Sequence, residues 1–355
     1  MTWLTWRQFR TQILVVASVL AAVAVVLLVT GPHLVSLSDA YVKACRAAKD
    51  CGSTTNPVLN ADGKLQSGLS DVLLIVPALI GIFWGAPLIA RELETGTYRL
   101  GWTQSITRRR WLAVKLGVVG LVSVAVAGLL SLMVTWWSSP IDTANANRFG
   151  IAVFGLRDIT PMGYAAFAFA LGVAAGVLMR RTLPAMAATL VVFVAARLAE
   201  VAWVRPYLMP QVHTVAALSG GNSIGFALSP GGRLQIMAGP PDIPNAWAIS
   251  SVVVNNAGQS PSAAFMKSAC PDLINRAPAS STGTGANHVR VSANGPGPQA
   301  FQDCVAKVAA KYHEVVTYQP AGRFWAFQGL ETALFVILAV LLGGLCFWWV
   351  RHRLT

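Results

Sequence analysis

Three ionisable residues stand inside segments that are otherwise apolar enough for lipid: Arg197 and Glu200, three positions apart, and Glu331. A charge at the centre of a bilayer costs about 2.5–3.5 kcal/mol even on insertion scales, so such residues persist where they have a partner or a task. The i, i+3 spacing lets Arg197 and Glu200 neutralise each other on one helix face. Two readings stand open. The trio is either a structural clamp joining two spans or part of a water-filled substrate path, with Glu331 the foremost pathway residue.

A second constellation is Arg91-Glu92-Leu93-Glu94-Thr95-Gly96-Thr97-Tyr98-Arg99, followed by Arg108-Arg109-Arg110 and Lys115, set between two long apolar runs. Charge this dense between lipid-soluble segments makes 91–115 an aqueous loop. Gly96 lets the chain turn sharply at a helix end. Glu92 and Glu94 offer carboxylates to a soluble partner, and Arg108–Arg110 anchor the next span at phosphate headgroups. A merely solvated basic loop accounts for the arginines but not for Glu92 and Glu94, so the segment reads as a docking surface.

Other chemistries find less support. Gly221-Asn222-Ser223-Ile224-Gly225 fits the G-x-S-x-G of a nucleophile elbow, which needs a strand–turn–helix and positioned His and Asp partners. Here it sits in a Gly-rich stretch. His33, His213, His288, His313 and His352 are scattered, with no H-E-x-x-H or Cys/His spacing that would hold a metal. No catalytic set and no metal site are expected.

The elements that carry these residues follow from composition. The 355 residues are 55% hydrophobic and 12% charged, with mean hydropathy +0.57. A soluble domain carries about 25% charge, so the fold class is an all-α polytopic membrane protein. A span needs about 20 apolar residues at about 1.5 Å rise each. Six segments qualify: Ile13–Thr30, Val72–Ala90, Trp111–Trp137, Pro161–Met179, Leu183–Val204 and Phe324–Val350. The first is too long for a signal-peptide core and has no small-residue cleavage site, which makes it a retained anchor. With both termini cytoplasmic, inner segments hold 12 basic and 2 acidic residues, against 14 and 10 in outer ones. That asymmetry obeys the positive-inside rule. The net charge of +13 is therefore mostly a topology signal, and no basic stripe with interleaved aromatics points to nucleic acid.

Residues 1–12, with Trp3, Leu4, Trp6 and Phe9 on one helical face, read as an interfacial helix on the inner leaflet. Spans one to five occupy 13–204, with outer loops at 31–70 and 138–160. Residues 205–322 are rich in Gly, Pro, Ser and Asn and form a small α+β extracellular domain, with a strand expected at Trp247–Val254 and a helix over Phe301–Tyr312. Residues 323–355 hold the sixth span and a cytoplasmic tail. Outer loops face an oxidising space, so disulfides are expected for Cys45–Cys51 and Cys270–Cys304, with Cys346 left in the last span. Gly81-x-x-x-Gly85 and Gly172-x-x-x-Gly176 allow close helix approach, for bundle packing or for dimerisation.

The loop 91–115 resembles the first cytoplasmic loop of type-2 ATP-binding-cassette exporter permeases. In that family a pattern like E-x-E-x-G-T leaves the second span, forms a short coupling helix and continues to a basic residue before the third. The matching residues here are Glu92, Glu94, Gly96 and Thr97, then Ser105, Thr107, Arg108 and Lys115. The opening Thr2-Trp3-Leu4-Thr5-Trp6-Arg7-Gln8 and the closing Tyr318-Gln319-Pro320 through Glu331-Thr332 are similar to an actinobacterial branch of these permeases. The long outer domain is a departure from the pattern.

The resemblance implies an export permease in a bacterial plasma membrane, coupled through Arg91, Glu92, Glu94, Gly96, Thr97 and Arg99 to a separate ATPase. Two ATPase copies, carrying the Mg-ATP, would serve two permease copies, a homodimer or a pair of close paralogues. Leu218-Ser219-Gly220-Gly221-Asn222 looks like the signature loop of such an ATPase, yet no G-x-x-x-x-G-K-[ST] phosphate loop exists in the chain, so that match is read as coincidence and this chain as no enzyme and free of cofactor. The alternatives are a polytopic membrane enzyme, or an accessory or sensor protein acting through the outer domain.

Overall fold

A computed structural model describes residues 2–48, 63–96, 107–145, 148–218, 224–229, 233–238, 245–271, 290–291 and 298–352. Cys51, Thr97, Arg99, Ser105, Gly221-Asn222-Ser223 and 277–287 lie outside the described residues, as does the side chain of Cys45. The Cys45–Cys51 pairing therefore lies outside them too. The chain divides into two compact units, Met1–Leu208 with Arg323–Thr355, and Met209–Gly322.

Among its described residues the first unit contains six helices long and apolar enough to cross a membrane, making this a multi-pass membrane protein. Helix α1 runs unbroken over Thr2–Ala48. The separate interfacial helix and the loop from Gly31 are thus one rod of about 70 Å at 1.5 Å per residue. Nothing in Thr11-Gln12 breaks a helix, Pro32 is accommodated inside it, and the polar residues after it are ordinary helix formers. Helix α2 (Gly63–Leu79) passes through a π-helical segment, Ile80–Gly85, into α3 (Ala86–Thr95). Helix α4 spans Arg108–Asn145 and carries Pro140 in its interior, so the helix continues through the loop start expected at Ser138. A short α5 (Ile151–Phe154) precedes α6 (Thr160–Met179). Helix α7 (Thr182–Ala199) continues into a π-helical segment, Glu200–Val204, and a 3₁₀ turn, Arg205–Tyr207.

Helix α6 is the central post. Fourteen of its 20 residues are buried, which its Gly and Ala content permits by letting neighbours approach on every side. The two G-x-x-x-G patterns meet each other here. A Cβ on Gly172 would sit 2.2 Å from the Gly81 carbonyl oxygen, and one on Gly176 would sit 2.6 Å from that of Ala86. These glycines pack the second span against the fourth within one bundle. Helix α1, by contrast, has only 6% of its apolar window buried. It touches α4 through Leu27, Leu34, Val134 and Trp137, and the Trp137 indole donates to Thr30 Oγ1 at 2.8 Å.

The second unit is α+β. Strands β1 (Val212–Ala216), β2 (Ile224–Ser229), β3 (Arg233–Ala238) and β4 (Trp247–Val254) precede α8 (Ala263–Ala269), β5 (Arg290–Val291), α9 (Pro298–Ala309) and β6 (His313–Gln319). They form two antiparallel sheets, ordered β1-β6-β4 and β3-β2-β5. The helix expected at 301–312 starts three residues earlier, because Pro298 suits a first helical position. Its apolar face, Phe301, Cys304, Val305 and Val308, packs on Val253, Met266 and Cys270. A Cys270–Cys304 disulfide ties α8 to α9 across 34 residues. Helix α10 (Phe324–His352) completes the first unit.

Candidate functional site

Arg197, Glu200 and Glu331 are brought together, with a fourth member that sequence reasoning assigned to the outer domain. Arg205 is 1% exposed. Its Nε donates to Glu200 Oε1 at 3.1 Å and to Glu331 Oε2 at 3.0 Å, and its Nη2 reaches Glu331 Oε1 at 3.0 Å. Arg197 Nη1 donates to Glu200 Oε2 at 2.6 Å and to Glu331 Oε1 at 3.4 Å. Two guanidiniums and two carboxylates thus cancel within one closed knot, in which Glu331 has no exposed surface.

Local backbone explains the fourth member. The segment 200–204 is π-helical, and the Arg205 N–H bonds to the Glu200 carbonyl. This i→i+5 pitch sets Arg205 on the same face as Glu200, where an α-helix would turn it away. Helix α10 presents Gln328 and Glu331 one turn apart. Gln328 Nε2 donates to the Phe154 carbonyl at 2.9 Å, and its Oε1 accepts from Thr160 N at 3.2 Å and from the Thr160 hydroxyl. The Tyr164 hydroxyl donates to Glu331. Arg197 lies 3.6 Å above the Tyr164 ring, and Arg205 lies 4.7 Å from that of Phe154. Gly155 roofs the knot: a Cβ there would meet Arg197 Nη2 at 3.0 Å. Nearby, Arg157 Nε donates to Asp142 Oδ2 at 3.3 Å. Burial pushes the Asp158 carboxyl above its usual range; Asp142 adds to this, and Arg148 and Arg157 oppose it.

The second locus is the end of α3. Its buried face is Ala86, Leu88, Ile89 and Ala90; Arg91 is exposed. Gly96 closes it in the left-handed region at φ 73°. Both carboxylates bond to neighbouring helices, Glu92 half-buried and Glu94 exposed. Glu92 forms an ion pair with Lys115 of α4, whose ammonium also lies 4.8 Å from the Trp111 ring. Glu94 Oε2 accepts from Thr182 N at 3.1 Å and from Thr182 Oγ1 at 2.7 Å. The residue preceding α7, Arg181, gives that helix no side-chain cap, so a carboxylate from another helix supplies the missing acceptor. Arg180 makes the intervening turn in the left-handed region, with its N–H on the Gly176 carbonyl at 3.0 Å. Sequence spacing identified Lys115 only as the basic residue before the third span, and gave no signal for Thr182.

Among the described residues no group of three or more His, Cys, Asp or Glu is placed to hold a metal. Of the G-x-S-x-G stretch, Ile224 and Gly225 open β2.

A family model described as "ABC-2 membrane transporter related" matches residues 17–205. No curated protein and no solved structure matches the chain. The matched stretch is just over half of the chain. It runs from the first span through both π-helical segments, takes in Glu92, Glu94, Arg197 and Glu200, and ends at Arg205. On that extent the chain belongs to the ABC-2 membrane transporter-related family.

Proposed function

We propose that this protein is the permease subunit of an ATP-binding-cassette exporter, driven by ATP hydrolysed in a separate nucleotide-binding subunit. The family is one of membrane transporters. The observation that carries the finer reading is the end of α3, whose two carboxylates are bound to two different spans. Closure of a soluble ATPase against this elbow would push α4 through Glu92–Lys115 and α7 through Glu94–Thr182 together. Such a push would bias the bundle between inward- and outward-open states. Arg91, Gly96, Thr97 and Arg99 complete the docking surface in this reading, and Glu92 and Glu94 act as its transmission.

The same reading places both termini and the elbow in the cytoplasm of a bacterium, with 209–322 outside. Two permease copies and two ATPases, the latter carrying Mg-ATP, make the working unit. The charged knot serves as a clamp between the fifth and sixth spans, because its donors and acceptors are directed at one another. Affinity purification of the tagged chain from its native membrane tests the proposal. A phosphate-loop ATPase should copurify, and ATP hydrolysis should depend on it. Hydrolysis by the chain alone, or labelling of the elbow from the cell exterior, would overturn the reading.

A further inference from the structure

Between the start of α4 and the end of α10 lies an open groove of about 430 Å³, lined by Thr107, Arg109, Phe347, Val350 and Arg351. Its floor is apolar: Val350 is buried and Phe347 half-buried, both packed in the core shared by α4, α6 and α10. Its rim is cationic. Arg109 and Arg351 are exposed, and neither has a carboxylate partner among the described residues. The first turn of α4 begins here, with Thr107 Oγ1 accepting from Arg110 N at 3.4 Å. The remaining N–H groups of that turn and the positive end of the helix dipole favour an anion.

Depth decides which anion. Trp348, 51% exposed, lies one turn before Arg351. Tryptophan settles at the headgroup level of a bilayer, so the groove opens where lipid phosphates lie. Inorganic phosphate would leave the exposed part of Phe347 wet, whereas a lipid covers it and the rim at once. Basic recesses between spanning helices are suited to anionic headgroups.

We propose that this groove is a binding site for an anionic glycerophospholipid, its phosphate held between Arg109 and Arg351 and its upper acyl chain laid over Phe347 and Val350. The site needs only that the chain spans a membrane, and stands apart from the transport reading.

Native mass spectrometry of the full chain, offered equal amounts of dioleoyl phosphatidylglycerol and dioleoyl phosphatidylcholine, tests it. The wild type should retain phosphatidylglycerol preferentially. Arg109→Gln with Arg351→Gln should lower that preference roughly 30-fold, since each surface cation contributes about fivefold attraction, while Arg109→Lys with Arg351→Lys keeps most of it. A photoactivatable phosphatidylglycerol, added to the wild type so that no variant need fold, should label the segment 347–351. Equal retention of the two lipids, an unchanged preference in the Gln pair, labelling only elsewhere, or displacement by millimolar glycerol phosphate would overturn the proposal.

Discussion

Replacing Glu331 by Gln removes one charge from the knot without changing its shape. Two guanidiniums then face the single carboxylate of Glu200 in a site where Glu331, Glu200 and Arg205 side chains are 0–3% exposed. A unit pair near 3 Å attracts by about 5 kcal/mol at an effective dielectric of about 20. The amide oxygen still accepts from Tyr164 and the arginines and so recovers part of this. The expected destabilisation is about 3 kcal/mol, the low end for breaking a buried pair by removing one member. Adding Arg205→Gln restores neutrality and leaves Arg197–Glu200 intact at 2.6 Å. The double variant should then lose at least about 1 kcal/mol less than the sum of the single losses. Reversible unfolding in mixed micelles reads all three variants. Additive losses, or a Glu331→Gln protein within about 0.5 kcal/mol of wild type, would refute the clamp. Wild-type stability with altered transport would move Glu331 to the pathway instead.

Three further outcomes follow from contacts elsewhere. Gly172→Ala forces a methyl against the backbone of the π-helical segment and should cost about 1–3 kcal/mol or more. Gly117→Ala, whose Cβ would meet nothing within 4 Å, should be neutral or gain up to about 1 kcal/mol; equal thermal shifts for the two would contradict the packing. Glu94→Ala should lower the thermal midpoint through the lost cap and weaken ATPase stimulation, and stimulation at the wild-type level would remove Glu94 from transmission. Cys270→Ser with Cys304→Ser should destabilise the second unit by about 4 kcal/mol for a loop of this length. An identical gel mobility with and without reductant would show that the bond is absent.

Hydropathy located the six spans because lipid solubility depends on composition, but it marks the membrane's limits and not the helix's. Helices α1 and α4 therefore continue past the expected loop starts at Gly31 and Ser138. Strand β4 was legible from its β-branched residues and the apolar face of α9 from 3.6-residue spacing. Arg197, Glu200 and Glu331 stood out as charges in apolar runs. Arg205 did not, because it lies at the edge of its run and reaches the knot through a π-helical pitch that no periodicity announces. The bonds of Glu92 and Glu94 were equally hidden: carboxylates on a charged loop read as offered to a partner until Lys115 and Thr182 are found beside them. The two glycine patterns left both bundle packing and dimerisation open, and the close approach of Gly172 to Gly81 puts these glycines in the bundle.

The π-helical segment before Arg205 makes that residue's position a matter of counting. An ordinary α-helical pitch over 200–204 at unchanged length would rotate the guanidinium away from Glu200, although every charged side chain would still be present. The knot therefore depends on backbone pitch as much as on its four charged side chains, and those residues alone do not specify it.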